Sequence, residues 1–158
     1  MWKQKLSQTL KQGLKGATQV VVLAVGSDLR SDDAAGLLVA EQLKPSDKLH
    51  VLIGATAPEN LTGQVKRLKP SHLLIVDAAE MGEPVGTARI IASANIGGHS
   101  FSTHALPMKV MIDFILADCP CEVLVIAIQP KSVKFGGPVD PAVAEAVQIV
   151  AKAISDSL

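Results

Sequence analysis

Three aspartates and one histidine, spread over three segments of a 158-residue chain, carry most of the chemistry this sequence offers. Asp32 and Asp33 follow the first strongly apolar run, and Asp77 ends another. His104 lies within Ser102-Thr103-His104-Ala105-Leu106-Pro107. Carboxylates and an imidazole on separate loops are raw material for a divalent-metal site with open coordination positions. Ligand type alone does not choose among nickel, zinc, iron and manganese. Each residue also has an ordinary structural role open to it. Acids in the first turn of a helix stabilise its dipole, a strand-end aspartate closes a turn, and a turn histidine hydrogen-bonds to backbone. A magnitude weighs against the ordinary roles for Asp33 and Asp77 if the fold brings them together. Two carboxylates about 5 Å apart repel by roughly 3 kcal/mol at an effective dielectric near ~20. Such a pair shares a proton, binds a cation or costs the fold stability. Arg30 is the only arginine or lysine close to Asp33 in the chain, and residues 70–87 around Asp77 contain neither. His50, His72 and His99 have no comparable company and read as surface or strand-edge residues.

The elements that must position these residues alternate between strand and helix. Val20–Val25 is a continuous apolar run stopped by Gly26, as in a central parallel strand. A helix follows through Leu37, Leu38 and Leu43, with Ser31 or Asp32 as its natural N-cap. Residues 51–53 form a shorter strand, and residues 58–68 a helix opened by Pro58-Glu59-Asn60 and stopped before Pro70. Residues 73–76 form the strand that delivers Asp77. Gly82, Pro84 and Gly86 mark a loop, after which residues 87–92 form a strand. Its connection is too short for a helical crossover, which suits an antiparallel neighbour. Residues 106–117 are helical, residues 123–128 form the last strand, and residues 141–154 the closing helix with Pro141 at its first position. The sum is a three-layer α/β/α sandwich around a mostly parallel five-stranded sheet. In open sheets of this kind ligands bind beyond the carboxyl ends of the strands. Asp28, Asp32, Asp33, Asp77, Gln129 and Pro130 are all delivered to that edge, and His104 lies between two elements that flank it.

Residues 2–15 carry Trp2, Leu6, Leu10 and Leu14 at i+4 intervals among lysines, the pattern of an amphipathic helix. Residues 1–18 thus form a helical extension to a single α/β domain over residues 19–158. Packing on the domain's own surface is the simplest use of its apolar stripe. Docking to a partner comes next, and lying on a membrane surface is the weakest alternative.

Composition removes several classes of function. The 15 basic and 15 acidic residues balance, so no field of one sign recruits nucleic acid or acidic lipid. No apolar run approaches the ~20 residues of a membrane span, and the lysine-bearing start lacks the apolar core of a secretory signal. Two cysteines are too few for a disulfide scaffold, so a reducing cytoplasm is the expected location. Cys119-Pro120-Cys121 has one intervening residue, where redox and zinc motifs have two, and reads as a helix-to-strand turn with two small thiols. Residues 26–33 match neither the dinucleotide nor the Walker glycine pattern. Acids at that helix start would also repel the phosphate such a site attracts. The signatures H-E-x-x-H and G-x-S-x-G are absent.

Five pieces in register resemble the maturation endopeptidases of nickel-iron hydrogenases. They are residues 26–36 (GSDLRSDDAAG), Ala57-Pro58-Glu59-Asn60, Leu74-Ile75-Val76-Asp77-Ala78, Ser102-Thr103-His104-Ala105-Leu106-Pro107 and Ile128-Gln129-Pro130. The resemblance covers roughly residues 20–154. The Ala-Pro-Glu-Asn and Gln-Pro pieces are most similar to the HycI-like branch, which serves membrane-associated, hydrogen-evolving hydrogenases. The chain has Ser27 where the family usually has Asn, and Ile53-Gly54-Ala55 where it often has an acid. The resemblance implies an endopeptidase that removes a C-terminal extension from the hydrogenase large-subunit precursor after nickel insertion. It places Asp33, Asp77 and His104 at the metal, with Asp33 and Asp77 as the catalytic carboxylates. Nickel then arrives in the substrate, no organic cofactor is needed, and the enzyme is expected to be a cytoplasmic monomer. Asp32 is left either to tune that pair or to cap its helix. Two other functions fit the same residues: a nickel-binding or docking factor that does not cut, and a hydrolase of this fold acting on a small molecule.

Overall fold

The computed structural model describes residues 1–96 and 105–158, with backbone alone for residues 105–107. Five strands, β1 (Val20–Val25), β2 (Leu49–Ala55), β3 (His72–Ala78), β4 (Ala88–Ala92) and β5 (Glu122–Ile128), form one sheet in the order β2-β1-β3-β5-β4. All neighbours run parallel except β4 and β5, which are antiparallel from Ala88↔Ile128 to Ala92↔Leu124. The short link from β3 therefore reaches an edge beyond β5, as the absence of a crossover helix requires. Every residue of β1 and β3 is buried, which is why both read as unbroken apolar runs.

The helices α1 (Trp2–Gly13), α2 (Ala35–Gln42), α3 (Thr62–Leu68), α4 (Ala105–Asp118) and α5 (Pro141–Asp156) cover both faces. Strand periodicity sorts the core into two clusters. Val20, Val22, Leu74, Val76 and Ile126 pack with α1, α2 and α5, while Val21, Leu23, Leu73, Ile75 and Val125 pack with α3 and α4. Leu6, Leu10 and Leu14 are buried in the first cluster, so the apolar stripe at the start of the chain lies against the sheet near β4 and α5.

Several boundaries moved for local reasons. The second strand is longer than its apolar centre because β1 gives it partners from Leu49 to Ala55. The stretch expected as one helix over residues 58–68 opens with a tight 3-10 turn, Pro58–Leu61, before α3 begins. His72 is buried at the start of β3, where its Nδ1 lies 2.9 Å from Ser71 Oγ; it is not a surface histidine. His50 lies 2.9 Å from Gln19 Oε1. Cys119 and Cys121 form the turn between α4 and β5, as expected, and both are free thiols.

Candidate active site

The chain leaves β1 through Gly26, whose φ of +141° is open only to glycine at low cost. A Cβ here would collide with the backbone oxygen of Asp33, so the loop doubles back on itself at this point. Ser27 N–H donates to Asp33 Oδ2 at 3.1 Å, and Ser27 Oγ accepts from Leu29 N–H at 3.2 Å. The serine thus supplies a side-chain acceptor for the loop.

Ser31–Ala34 forms a 3-10 turn, and α2 starts only at Ala35. Neither Ser31 nor Asp32 caps the helix, contrary to the expectation from their position: no side-chain cap bond is made. Asp32 turns instead toward a loop about a hundred residues away in the chain. Its Oδ2 accepts from Lys131 N–H at 2.7 Å and Ser132 N–H at 3.2 Å, and its Oδ1 from Asp140 N–H at 2.7 Å. At 1% exposure this carboxylate is satisfied by three backbone donors, the arrangement that makes a buried charge tolerable. Ser31 has a left-handed φ of +53°, and its Oγ donates to Lys134 O at 2.6 Å, which holds that uncommon conformation in place.

Asp33 and Asp77 do come to one edge. Gly36 in α2 lies against the carbonyls of Val25 and Val76, so closely that a side chain there would push the helix off the sheet. Val25 ends β1, and Val76 immediately precedes Asp77 on the adjacent β3. Three residues before Gly36, Asp33 is held beside the same strand ends, and its 3-10 turn packs on β3. Both carboxylates are buried, Asp33 at 7% and Asp77 at 1% exposure. Asp77 has the strand parity of Leu73 and Ile75, which places it on the sheet face covered by α3 and α4. His104 lies outside the described residues; in the chain it immediately precedes α4.

Gln129 follows β5 by one residue and lies at this edge, as its place after the last apolar run implies. It is buried, and its Oε1 accepts from Met81 N–H at 2.7 Å and Glu83 N–H at 3.3 Å while its Nε2 donates to Pro130 O at 3.1 Å. The loop that follows Asp77 is therefore clamped to the end of β5. A polar residue closing an apolar strand was the only signal for this clamp. The partners of Asp32 left no local signal, because they lie 99 to 108 positions away.

Two buried carboxylates at adjacent strand ends can bind a cation or take a proton from water. Among the described residues no group of three or more His, Cys, Asp and Glu side chains is arranged to hold a metal ion. A metal ion held here would take donors besides these two carboxylates. No helix among the described residues is long and apolar enough to cross a membrane.

Comparison with known proteins identifies the family and the fold. A family model described as hydrogenase maturation protease matches residues 37–157. The hydrogenase 3 maturation protease of Escherichia coli K12 is 38% identical over 133 residues, spanning 82% of this chain and 85% of that protein. The crystal structure of a nickel-iron hydrogenase maturation protease HycI from Thermococcus kodakarensis KOD1 superposes with a TM-score of 0.88 at 28% identity, covering 95% of this chain and 98% of that one. The solution structure of an endopeptidase HycI from Escherichia coli gives a TM-score of 0.77 at 36% identity, covering 85% and 87%. By sequence and by fold, the chain belongs to the hydrogenase maturation protease family and is one of its endopeptidases.

Proposed function

We propose that this endopeptidase removes the C-terminal extension of a hydrogenase large-subunit precursor, and that it acts only once nickel has been inserted. The observation that carries this reading is the placement of Asp33 and Asp77 at the ends of two adjacent parallel strands, buried and on loops fastened from behind. Asp33, Asp77 and His104 are the residues that meet the nickel. That nickel is part of the substrate, and the protein itself needs no organic cofactor. Carboxylate oxygens and an imidazole are suitable donors for a nickel ion that keeps its other ligands in the precursor. The parity of Asp77 supports a role for His104, since the face it belongs to is the one α4 covers.

Docking of the metal fixes the scissile bond beside the pair. A carboxylate of the pair takes a proton from a water molecule as that oxygen adds to the peptide carbonyl. The proton then passes to the leaving nitrogen as the C–N bond breaks. Holding water, carboxylate and carbonyl in one orientation supplies a large part of the acceleration, and the lacing by Asp32 and Gln129 keeps the two loops rigid enough to do so. The protein works in the cytoplasm as a monomer, where Cys119 and Cys121 stay reduced.

The test is to incubate purified protein with nickel-loaded precursor and follow the intact mass of the large subunit. Loss of a C-terminal peptide by the wild type, abolished in Asp33→Ala and in Asp77→Ala, is the expected result. Precursor retained in a complex with no change of mass would favour a docking factor that does not cut.

A further inference from the structure

Asp32 fastens the loop over residues 131–140 at both of its ends, through Lys131 and Ser132 on one side and Asp140 on the other. The middle of that loop is tied to residues 29–31 as well. Gly136 N–H donates to Leu29 O at 2.8 Å, Arg30 Nε to Val133 O at 3.3 Å and Ser31 Oγ to Lys134 O. Val139 of this loop packs against the core, but other apolar side chains at the loop do not follow it inward. Phe135 is 74% exposed, Leu29 59%, and Val133 is also exposed. The hydrogen bonds between residues 29–30 and residues 133–136 bring the two segments that carry these three exposed side chains together. Phe135 also lines an open groove of about 580 Å³, together with Ser31, Asp32, Lys131 and Lys134.

Buried polar bonds that fix an exposed apolar tip produce preorganisation: the side chain is held ready and loses little freedom on binding. Aromatic residues in such positions dominate interface energies when they enter a pocket on a partner. We propose that Leu29, Val133 and Phe135 dock the folded body of the hydrogenase precursor, with Phe135 as the anchor. This rests on the reading that the precursor is the substrate. Continuity with the site supports the assignment, because Asp32 and Asp33 share one 3-10 turn. One of them holds the loop that carries Val133 and Phe135, and the other stands at the strand ends. The shape selects the folded body over the extension. A fixed, protruding aromatic needs a concave pocket, which a folded domain supplies and an extended tail does not. Lys131 and Lys134 at the groove, of which Lys131 lies 3.7 Å from Asp140, favour a pocket bordered by acidic residues.

The experiment uses the full chain, nickel-loaded precursor, the processed large subunit without its extension, and a synthetic peptide of the extension. Phe135→Ala is expected to raise KM for the precursor about tenfold while kcat stays within about twofold, and to weaken affinity for the processed subunit by a similar factor. Lys134→Glu is expected to change KM in the same direction. Val110→Ala, 64% exposed on α4, serves as the control and is expected to change neither quantity. The inference is overturned if Phe135→Ala leaves KM unchanged, if Val110→Ala has an equal effect, or if the loss of affinity is confined to the extension peptide. A wild type that cleaves normally beside an unaffected Phe135→Ala refutes the docking surface alone. A wild type that neither binds nor cleaves the precursor refutes the substrate assignment, and the docking surface with it.

Discussion

Replacing Asp32 with alanine removes the acceptor for three backbone donors at once and leaves them in a site only 1% exposed. Hydrogen bonds to a charged group contribute about 1.5–3 kcal/mol each. Two of the three are short, at 2.7 Å, and the third, at 3.2 Å, is weaker. Simple addition overstates the loss, since the donors share one acceptor group and the space vacated by the carboxylate admits water. A net destabilisation of about 3–4 kcal/mol is the result, a large share of the ~5–15 kcal/mol that holds a domain together. In thermal unfolding this corresponds to a fall in Tm of roughly 6–16 °C for a domain of this size. Asp32→Asn keeps one carbonyl acceptor but turns an amide donor toward the remaining N–H groups, so it loses about half as much. Hydrogen exchange locates the effect: the amides of Lys131, Ser132 and Asp140 lose protection first, while those in the centre of β3 keep theirs. A Tm within about 1 °C of wild type in Asp32→Ala, or unchanged protection at those three amides, would refute the assignment of Asp32 as the fastener of this loop.

Other consequences are as specific. Gln129→Leu removes the acceptor of Met81 and Glu83 N–H and should cost about 1–3 kcal/mol in urea unfolding, with cleavage slowed because the loop after Asp77 is released. Gly36→Ala forces α2 away from the carbonyls of Val25 and Val76. It should cost about 1–3 kcal/mol or more, where an ordinary helical Gly→Ala change stabilises, and circular dichroism on heating reads the sign. Burial and the neighbouring Cys119 thiol push the Cys121 thiol from 9.0 up to about 11. The folded state therefore holds this proton longer than the unfolded chain. Its contribution to stability is complete below pH 9 and is lost as pH rises toward 11, and unfolding midpoints across that window should fall. Thiol labelling of the native protein at pH 8 should accordingly be much slower than that of the unfolded chain.

Strand-level features were legible because they depend on local composition. Val20–Val25 and residues 73–76 are apolar on both faces, and only a sheet covered on both sides accommodates them, so the layered fold followed from two short runs. The edge that collects Asp33 and Asp77 followed from the same rule, since parallel strands end together. The cap predicted for Ser31 or Asp32 failed for the opposite reason. Sequence proximity to a helix start makes capping the default, yet a carboxylate takes the best donors within reach, and three of them arrive from a loop about a hundred residues onward. The clamp by Gln129 and the burial of His72 are likewise products of tertiary contact, which local spacing does not encode. The exposed apolar tip at Phe135 has no signature in the sequence, because an isolated Phe before Gly136-Gly137-Pro138 carries no period.

Nickel dependence is the claim on which the account turns. Intact-mass spectrometry of the large-subunit precursor after incubation with the purified protein, with the precursor either nickel-loaded or nickel-free, tests it most directly. The account predicts loss of the C-terminal extension from the nickel-loaded form alone, and from neither form with Asp77→Ala. Equal cleavage of the nickel-free precursor, or full activity in Asp77→Ala, would contradict it.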